Sequence, residues 1–286
     1  MKYSALIGNP VDHSISPKLF ELLANKVGIE YAHIKINVPT KKELSKTIQA
    51  LCDLNFVGFN ITCPYKIDMF DLLDDSQYDN EVFKINSINS VVINNGKMKG
   101  YNTDGLAAIN SIKHFYKIKS KDKVVILGAG GVAYPILYEI QKITKNIVIF
   151  NESLEMANKM CEKINDEISR YSLEEQDKLY EELNKATIII NATSVGMEPN
   201  SRQTLIDINK IKSKKCFFDV IFNPWKTKLL TEAEAKGHQI ISGGYMLIYQ
   251  AIAVLQLWLN TKINITTEQI EELAQEMIKV LEEHND

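Results

Sequence analysis

Two sets of residues in this 286-residue chain combine types and spacing that can do chemistry. The first is Val124-Val125-Ile126-Leu127 running into Gly128-Ala129-Gly130-Gly131-Val132-Ala133. An apolar strand that breaks into a glycine turn and then a helix is a dinucleotide fingerprint, here with alanine as the third small residue. Gly128 permits the tight turn, Gly130 lets the backbone approach a pyrophosphate, and Ala133 keeps helix and strand close. The opening helix aims unpaired N–H groups and a positive dipole end at the phosphates. Glu152 lies 19 residues beyond Ala133, after a second apolar run at Asn146 to Phe150. That spacing suits a carboxylate accepting hydrogen bonds from an adenosine ribose. A nucleotide cofactor and redox chemistry are the implication.

The second set is a series of short polar clusters at the ends of expected strands. They are Ser14-Ile15-Ser16, Asn60-Ile61-Thr62-Cys63-Pro64-Tyr65-Lys66, Asn89, Asn102-Thr103-Asp104 and Gln250. In a parallel sheet, ligands sit beyond the carboxyl ends of the strands, so these groups can converge on one crevice. Hydroxyls would bind a carboxylate, amides would bind hydroxyl groups, and a Lys/Asp pair could move one proton. A small polyhydroxylated acid would need such a set. Each residue also has a plainer reading. Ser16 is a plausible N-cap, Asn102-Thr103-Asp104 a capping series, Gln250 a satisfied core amide, and an isolated lysine such as Lys66 is most often a solvated surface group.

The elements that must hold these groups alternate along the chain. Strands are expected at Tyr3 to Ile7, Ala32 to Val38 and Val57 to Ile61. Helices are expected from Ser16-Pro17 to Gly28 and from Lys41 to Asp53. Beta, alpha, beta in succession implies a parallel sheet. Asn95-Gly96 marks a hairpin within Ser90 to Gly100. A helical period runs from Thr103 to Tyr116, and the dinucleotide unit takes over after Asp122, with further strands at Ile188 to Ile190 and Phe217 to Val220. Leu247 to Leu259 is apolar and helical, and Thr266 with Gln269 reads as a capping box for a last helix. The expected fold is therefore α/β in two domains. Residues 1–101 plus 239–286 form an N-terminal substrate domain with a mainly parallel sheet, and 102–238 an inserted Rossmann-like dinucleotide-binding domain.

Composition narrows the partners. Hydrophobic residues at 45%, charged residues at 24% and a net charge of −3 describe an ordinary folded chain without the basic excess of a nucleic-acid binder. The four cysteines (Cys52, Cys63, Cys161, Cys216) show neither zinc nor disulfide spacing, and no metal is expected. With no cleavable signal or long apolar span, a cytoplasmic location without a membrane partner follows. The partner is a small-molecule substrate, and the chain is expected to act as a monomer or homodimer.

Read together, these motifs resemble those of the shikimate/quinate dehydrogenase family of two-domain oxidoreductases. Ser14-x-Ser16-Pro17 is similar to the family's carboxylate-binding serines. Asn60 to Lys66 resembles N-V-T-x-P-[HYF]-K, whose lysine is the acid/base. Gly100 to Gly105 resembles G-x-N-T-D-G, whose aspartate pairs with that lysine. Asn191 to Met197 is similar to N-A-T-S-x-G-M, and Asn223-Pro224 and Gly243 to Gln250 follow in the family's order. The resemblance implies hydride transfer between a nicotinamide and the carbon bearing one ring hydroxyl of shikimate. Lys66 and Asp104 would act at the chemical step. Ser14, Ser16, Asn60, Thr62, Asn89 and Gln250 would bind substrate. Gly128, Ala129, Gly130, Gly131, Val132, Asn151, Glu152, Ser153, Thr193, Val220 and Gly243 would bind cofactor. An ordinary lysine is a poor base at neutral pH, so its surroundings must tune it.

Several positions depart from the family pattern. Asn151-Glu152-Ser153 stands where NADP-using members carry N-R-T, and Tyr134 replaces a basic residue. Both changes set NAD against the family's usual NADP, with Lys159 as a possible compensating charge. Phe222 stands in place of a substrate-binding tyrosine, Asn86-Ser87 in place of Gly-Ala, and Ala107 in place of a glycine. Two alternatives stay open at this point: an NAD-dependent quinate/shikimate dehydrogenase, and a family member that binds ligand without turnover.

Overall fold

Buried Ala5, Leu6 and Ile7 give the chain its first strand, β1 (Lys2–Gly8). It lies between β2 (Tyr31–Asn37) and β3 (Gly58–Ile61), parallel to both. β4 (Ser90–Asn94) and β5 (Lys97–Tyr101) complete the sheet as an antiparallel hairpin, in the order β2-β1-β3-β4-β5. The hairpin closes on Asn95 and Gly96 at φ 50° and 72°, the left-handed pair that a two-residue turn needs. Helices α1 (Ser16–Lys26) and α2 (Lys41–Asp53) are the crossovers, and α3 (Lys66–Leu72) and α4 (Asn80–Ile85) are short connectors. Leu44, Ile48 and Leu51 turn one face of α2 onto a core with Ile7, Phe59, Ile61 and Val91.

The computed structural model describes residues 1–78 and 80–285. It divides into two units: Met1–Thr103 with Gln250–Asp286, and Asp104–Tyr249. The second unit opens with α5 (Asp104–Phe115), followed by β6 (Val124–Leu127), α6 (Ala133–Ile140), β7 (Ile147–Asn151), α7 (Leu154–Ile164) and β8 (Ser169–Ser172). It continues through α8 (Gln176–Lys185), β9 (Ile188–Asn191), β10 (Cys216–Asp219), α9 (Lys228–Ala235) and β11 (Gln239–Ile241). The six strands are all parallel, in the order β11-β10-β9-β6-β7-β8. That order is the doubly wound dinucleotide-binding arrangement, with its switch point between β6 and β9. Val124 to Leu127 and Ile188 to Ile190 are fully buried, as expected where helices cover both faces of a parallel sheet.

The last two helices are α10 (Gly243–Leu259) and α11 (Thr267–Asn285). The capping box is present: Gln269 N–H donates to Thr266 Oγ1 at 3.2 Å, and Thr266 N–H to Gln269 Oε1 at 3.0 Å. Lys26 of α1 pairs with Glu272 of α11 at 2.8 Å. The units meet in sequence at 103/104 and 249/250. At the first junction Thr103 N–H is held by Asn89 Oδ1 at 3.0 Å. Ahead of the second, β11 pairs with β10, and Tyr245 and Tyr249 in α10 pack around His114 of α5. Ser16 is not the N-cap of α1. Ile15 takes that position without a side-chain cap, and Ser14 Oγ accepts the Ser16 N–H at 3.3 Å.

Candidate active site

In the first unit, Asn60 lies on β3, Asn89 immediately precedes β4, and Asn102 and Thr103 follow β5. Ser14 and Ser16 hold their hydroxyls 2.9 Å apart at the start of α1. Lys35 of β2 fixes this turn by donating to Asp12 O at 2.6 Å and Ser14 O at 3.4 Å. Asn60, on β3, donates through Nδ2 to Asn89 O at 3.2 Å. Asn89 is buried, and its Nδ2 donates to Thr103 Oγ1 at 3.1 Å. The neighbouring Asn102 Nδ2 donates to Ser87 O at 3.0 Å. Asn60, Asn89 and Thr103 therefore form one connected polar seam.

Lys66 stands at the first position of α3 because the chain before it is clamped. Thr62 N–H donates to Ile7 O at 2.9 Å, and Tyr65 N–H to Thr62 O at 3.1 Å. The buried Tyr65 hydroxyl donates to Val38 O at 2.7 Å. Gly8 makes room for the turn, since a Cβ there would lie 2.3 Å from Thr62 Cγ2. Ile88 N–H donates to the Lys66 carbonyl at 3.1 Å, which fixes the lysine backbone while its side chain stays half-exposed. Gln250 is half-buried on α10.

In the second unit, Asp104 is buried at the start of α5. The glycine turn lies between β6 and α6. Gly128 has φ 109°, and a Cβ on it would come within 2.8 Å of Thr193 Cγ2 and 2.9 Å of Ala192 O. A Cβ at Gly130 or Gly131 would meet nothing within 4 Å. The turn is thus packed hard against the loop after β9 on one side and bare on the other, which suits a close-approaching pyrophosphate. Val132 caps α6 without a side-chain bond, and Ala133 N–H donates to Gly130 O at 2.9 Å.

Asn151 joins this turn to the next. Its Oδ1 accepts the Ala129 N–H at 2.9 Å, and its Nδ2 donates to Ser153 O at 2.8 Å. Ser153 caps α7 by accepting Met156 N–H at 3.3 Å. Glu152, between them, is exposed. Lys159 pairs with Glu155 at 2.7 Å and lies within electrostatic reach of Tyr134, whose phenol is raised mainly by burial.

One buried network escaped the sequence reading. Asp219 ends β10 beside Asn191, which ends β9. Its Oδ1 accepts from Asn191 Nδ2 at 3.1 Å and Ile221 N–H at 3.1 Å, and its Oδ2 accepts from Thr227 Oγ1 at 2.7 Å. Burial pushes the Asp219 carboxyl up to about 6, with these donors pulling the other way. The available signal was an acid and an amide closing two otherwise apolar strands, since a buried carboxylate demands donors. Among the described residues, no group of His, Cys, Asp or Glu could hold a metal ion, and no helix is long and apolar enough to cross a membrane.

Comparison with known proteins agrees with this architecture. Residues 6–91 match the family model for the shikimate dehydrogenase substrate binding domain, and 111–224 that for shikimate/quinate 5-dehydrogenase. A shikimate dehydrogenase (NADP(+)) of Pyrococcus abyssi is 37% identical over 258 residues, covering 90% of this chain and 92% of its own. A crystal structure of a shikimate dehydrogenase in complex with NADP+ superposes with TM-score 0.86 at 31% identity, covering 97% of this chain and 96% of its own. Shikimate 5-dehydrogenase from Listeria monocytogenes, in complex with shikimate and NAD, superposes with TM-score 0.85 at 29% identity, with 96% of each chain covered.

Proposed function

The chain belongs to the shikimate dehydrogenase family, and from that premise we propose that it interconverts 3-dehydroshikimate and shikimate with NADP(H). This is an oxidoreductase acting on a CH–OH group, in the pathway to the aromatic amino acids. The observation that carries the reading is that family similarity runs through both units at once. Each unit keeps its half of the equipment: a polar seam in one and a bare glycine turn in the other. Neither quinate as the main substrate nor binding without turnover is favoured.

Bound NADPH supplies the hydride that reduces the ketone carbon. The roles of the chain's own residues are part of the proposal. Ser14 and Ser16, with hydroxyls 2.9 Å apart, bind the substrate carboxylate as a pair of donors. Asn60, Thr62, Asn89 and Gln250 hydrogen-bond the ring hydroxyls. Lys66 delivers a proton from Nζ to the ketone oxygen and takes it back when shikimate is oxidised. Asp104 accepts hydrogen bonds that orient the reacting groups. Gly128 to Val132 cradle the pyrophosphate, Asn151 to Ser153 meet the adenosine ribose, and Thr193, Val220 and Gly243 line the rest of the cofactor site.

The same reading places the protein in the cytoplasm as a monomer or homodimer without a nucleic-acid partner, the last supported by the net charge of −3. The direct test is to mix purified protein with shikimate and NADP+ and follow NADPH formation by absorbance. Turnover dependent on both is expected. Absence of turnover in a folded preparation that binds both ligands would sink the assignment.

A further inference from the structure

We propose that Asp219 is a positioning residue for cofactor binding, holding the two loops that carry Thr193 and Val220 in the shape that receives NADP. The inference rests on the cofactor assignment above and extends it to a residue that touches no ligand. Asn191 and Asp219 are Cα partners at the carboxyl ends of adjacent parallel strands, and Leu127, which precedes the glycine turn, is the partner of Asn191 on its other side. These three strands end at the switch point where such sheets bind dinucleotides.

From Asp219 the bonds run two ways. Toward β9, its Oδ1 accepts from Asn191 Nδ2, which leaves the Asn191 side-chain oxygen, Oδ1, facing Thr193. That oxygen accepts Thr193 N–H at 3.1 Å and Thr193 Oγ1 at 2.7 Å. Thr193 Oγ1 in turn accepts Val195 N–H at 3.1 Å. The methyl of Thr193 is then the group against which Gly128 turns. Asn191 Nδ2 also donates to Val195 O at 3.3 Å, so the carboxylate shares with that carbonyl the work of keeping the amide nitrogen away from Thr193 and ties the loop after β9 to β10.

Toward β10, the same Oδ1 accepts Ile221 N–H. The Ile221 carbonyl is held from the opposite side by Gly243 N–H at 3.1 Å. A Cβ on Gly243 would fall 2.2 Å from Val220 O and 2.6 Å from Ile221 O. Residues 220–221 are thus gripped between a carboxylate and a glycine backbone. Oδ2 anchors the carboxylate itself through Thr227, whose hydroxyl also caps α9 by accepting Leu230 N–H at 3.4 Å. Asp219 and Thr227 are fully buried and Asn191 nearly so, so water cannot replace a lost partner, and such networks are set rather than averaged.

The test compares Asp219→Leu, which removes every acceptor while keeping a side chain branched at Cγ, with Asp219→Asn, which is nearly isosteric and keeps Oδ1-type acceptance. NADP affinity is measured by calorimetry, and KM for NADP and for shikimate by steady-state kinetics. Asp219→Leu is expected to weaken NADP binding by about tenfold or more and Asp219→Asn by about threefold, with KM for shikimate within about twofold of wild type in both. Thr227→Val, which loses the α9 cap but leaves the Oδ1 bonds, is expected to unfold at lower temperature with NADP affinity nearly intact. If Asp219→Leu does not fold, Asp219→Asn decides alone. NADP affinity unchanged in the folded variant, or NADP and shikimate KM rising together, overturns the proposal. A wild-type protein that binds no NADP would instead overturn the cofactor assignment itself.

Discussion

Asn151 Oδ1 accepts the Ala129 N–H at 2.9 Å, so the end of β7 is stitched to the glycine turn that follows β6. The stitch fixes where Glu152 stands, one residue on and exposed. NADP differs from NAD by a phosphate on the adenosine ribose, and a carboxylate near that phosphate repels it, while an arginine binds it. Lys159 is already committed to Glu155. Glu152→Arg is therefore expected to raise the ratio of kcat/KM for NADP over NAD by about fivefold, since one exposed charge reversal amounts to about 1 kcal/mol. Kinetics with both cofactors check this, and an unchanged ratio would mean that Glu152 does not face the ribose.

Lys66 is held by its backbone, through Ile88 N–H, and by the buried Tyr65 before it, through Val38 O. None of these anchors involves the Lys66 ammonium. Lys66→Ala is expected to lower kcat by about 10²–10⁴-fold, the usual worth of a placed acid/base. Shikimate binding measured by calorimetry should change far less. A kcat within a few-fold of wild type would remove Lys66 from the chemical step.

What the sequence disclosed depended on how local each signal was. β6 and its glycine turn were legible because apolar run, turn and helix are contiguous, and α2 was legible because Leu44, Ile48 and Leu51 keep a helical period. β8 was not, because Ser-Arg-Tyr-Ser is a half-exposed edge strand with no apolar pattern. The polar clusters were visible as clusters, but their joins were not. Asn60 meets Asn89 only because β3 and β4 are antiparallel neighbours, and Asp219 meets Asn191 only through the register of β9 and β10. Such pairings are decided by sheet order, which no short window of sequence contains.

Gly58 is required by a close approach in the first unit. A Cβ there would lie 2.1 Å from Trp258 Nε1 and 2.3 Å from Val91 O, and that nitrogen donates to that oxygen at 2.8 Å. The obstacle is partly backbone and partly a buried indole, so neither yields easily. Gly58→Ala is expected to destabilise the protein by about 1–3 kcal/mol or more, read as a fall in the thermal midpoint. A midpoint within experimental error of wild type would show that β4 and α10 can part at low cost.

His33 is buried in an aromatic cluster, 4.3 Å from the Phe20 ring centroid and 5.8 Å from that of Trp258. Its Nδ1 is 2.6 Å from Ser4 Oγ, which also receives the Tyr31 hydroxyl at 2.5 Å. Its Nε2 has no hydrogen-bond partner among the described residues. Burial lowers its pKa from the usual 6.5 to about 3. Between those values the unfolded chain holds a proton on His33 that the folded chain does not, so this residue makes stability fall as pH drops from about 6.5 toward 3. Asp219 contributes the opposite slope between 3.8 and about 6, because its folded form keeps a proton that the unfolded form releases. The difference between two proteins isolates the histidine. His33→Phe, which keeps the ring stacking, is expected to lose about 1 kcal/mol at neutral pH because the Ser4 hydroxyl proton loses its acceptor. Its denaturant-measured stability should then decline less steeply than that of wild type below pH 6.5, by up to about 1.4 kcal/mol per pH unit. Parallel stability curves for the two proteins would mean that His33 is protonated in the folded state.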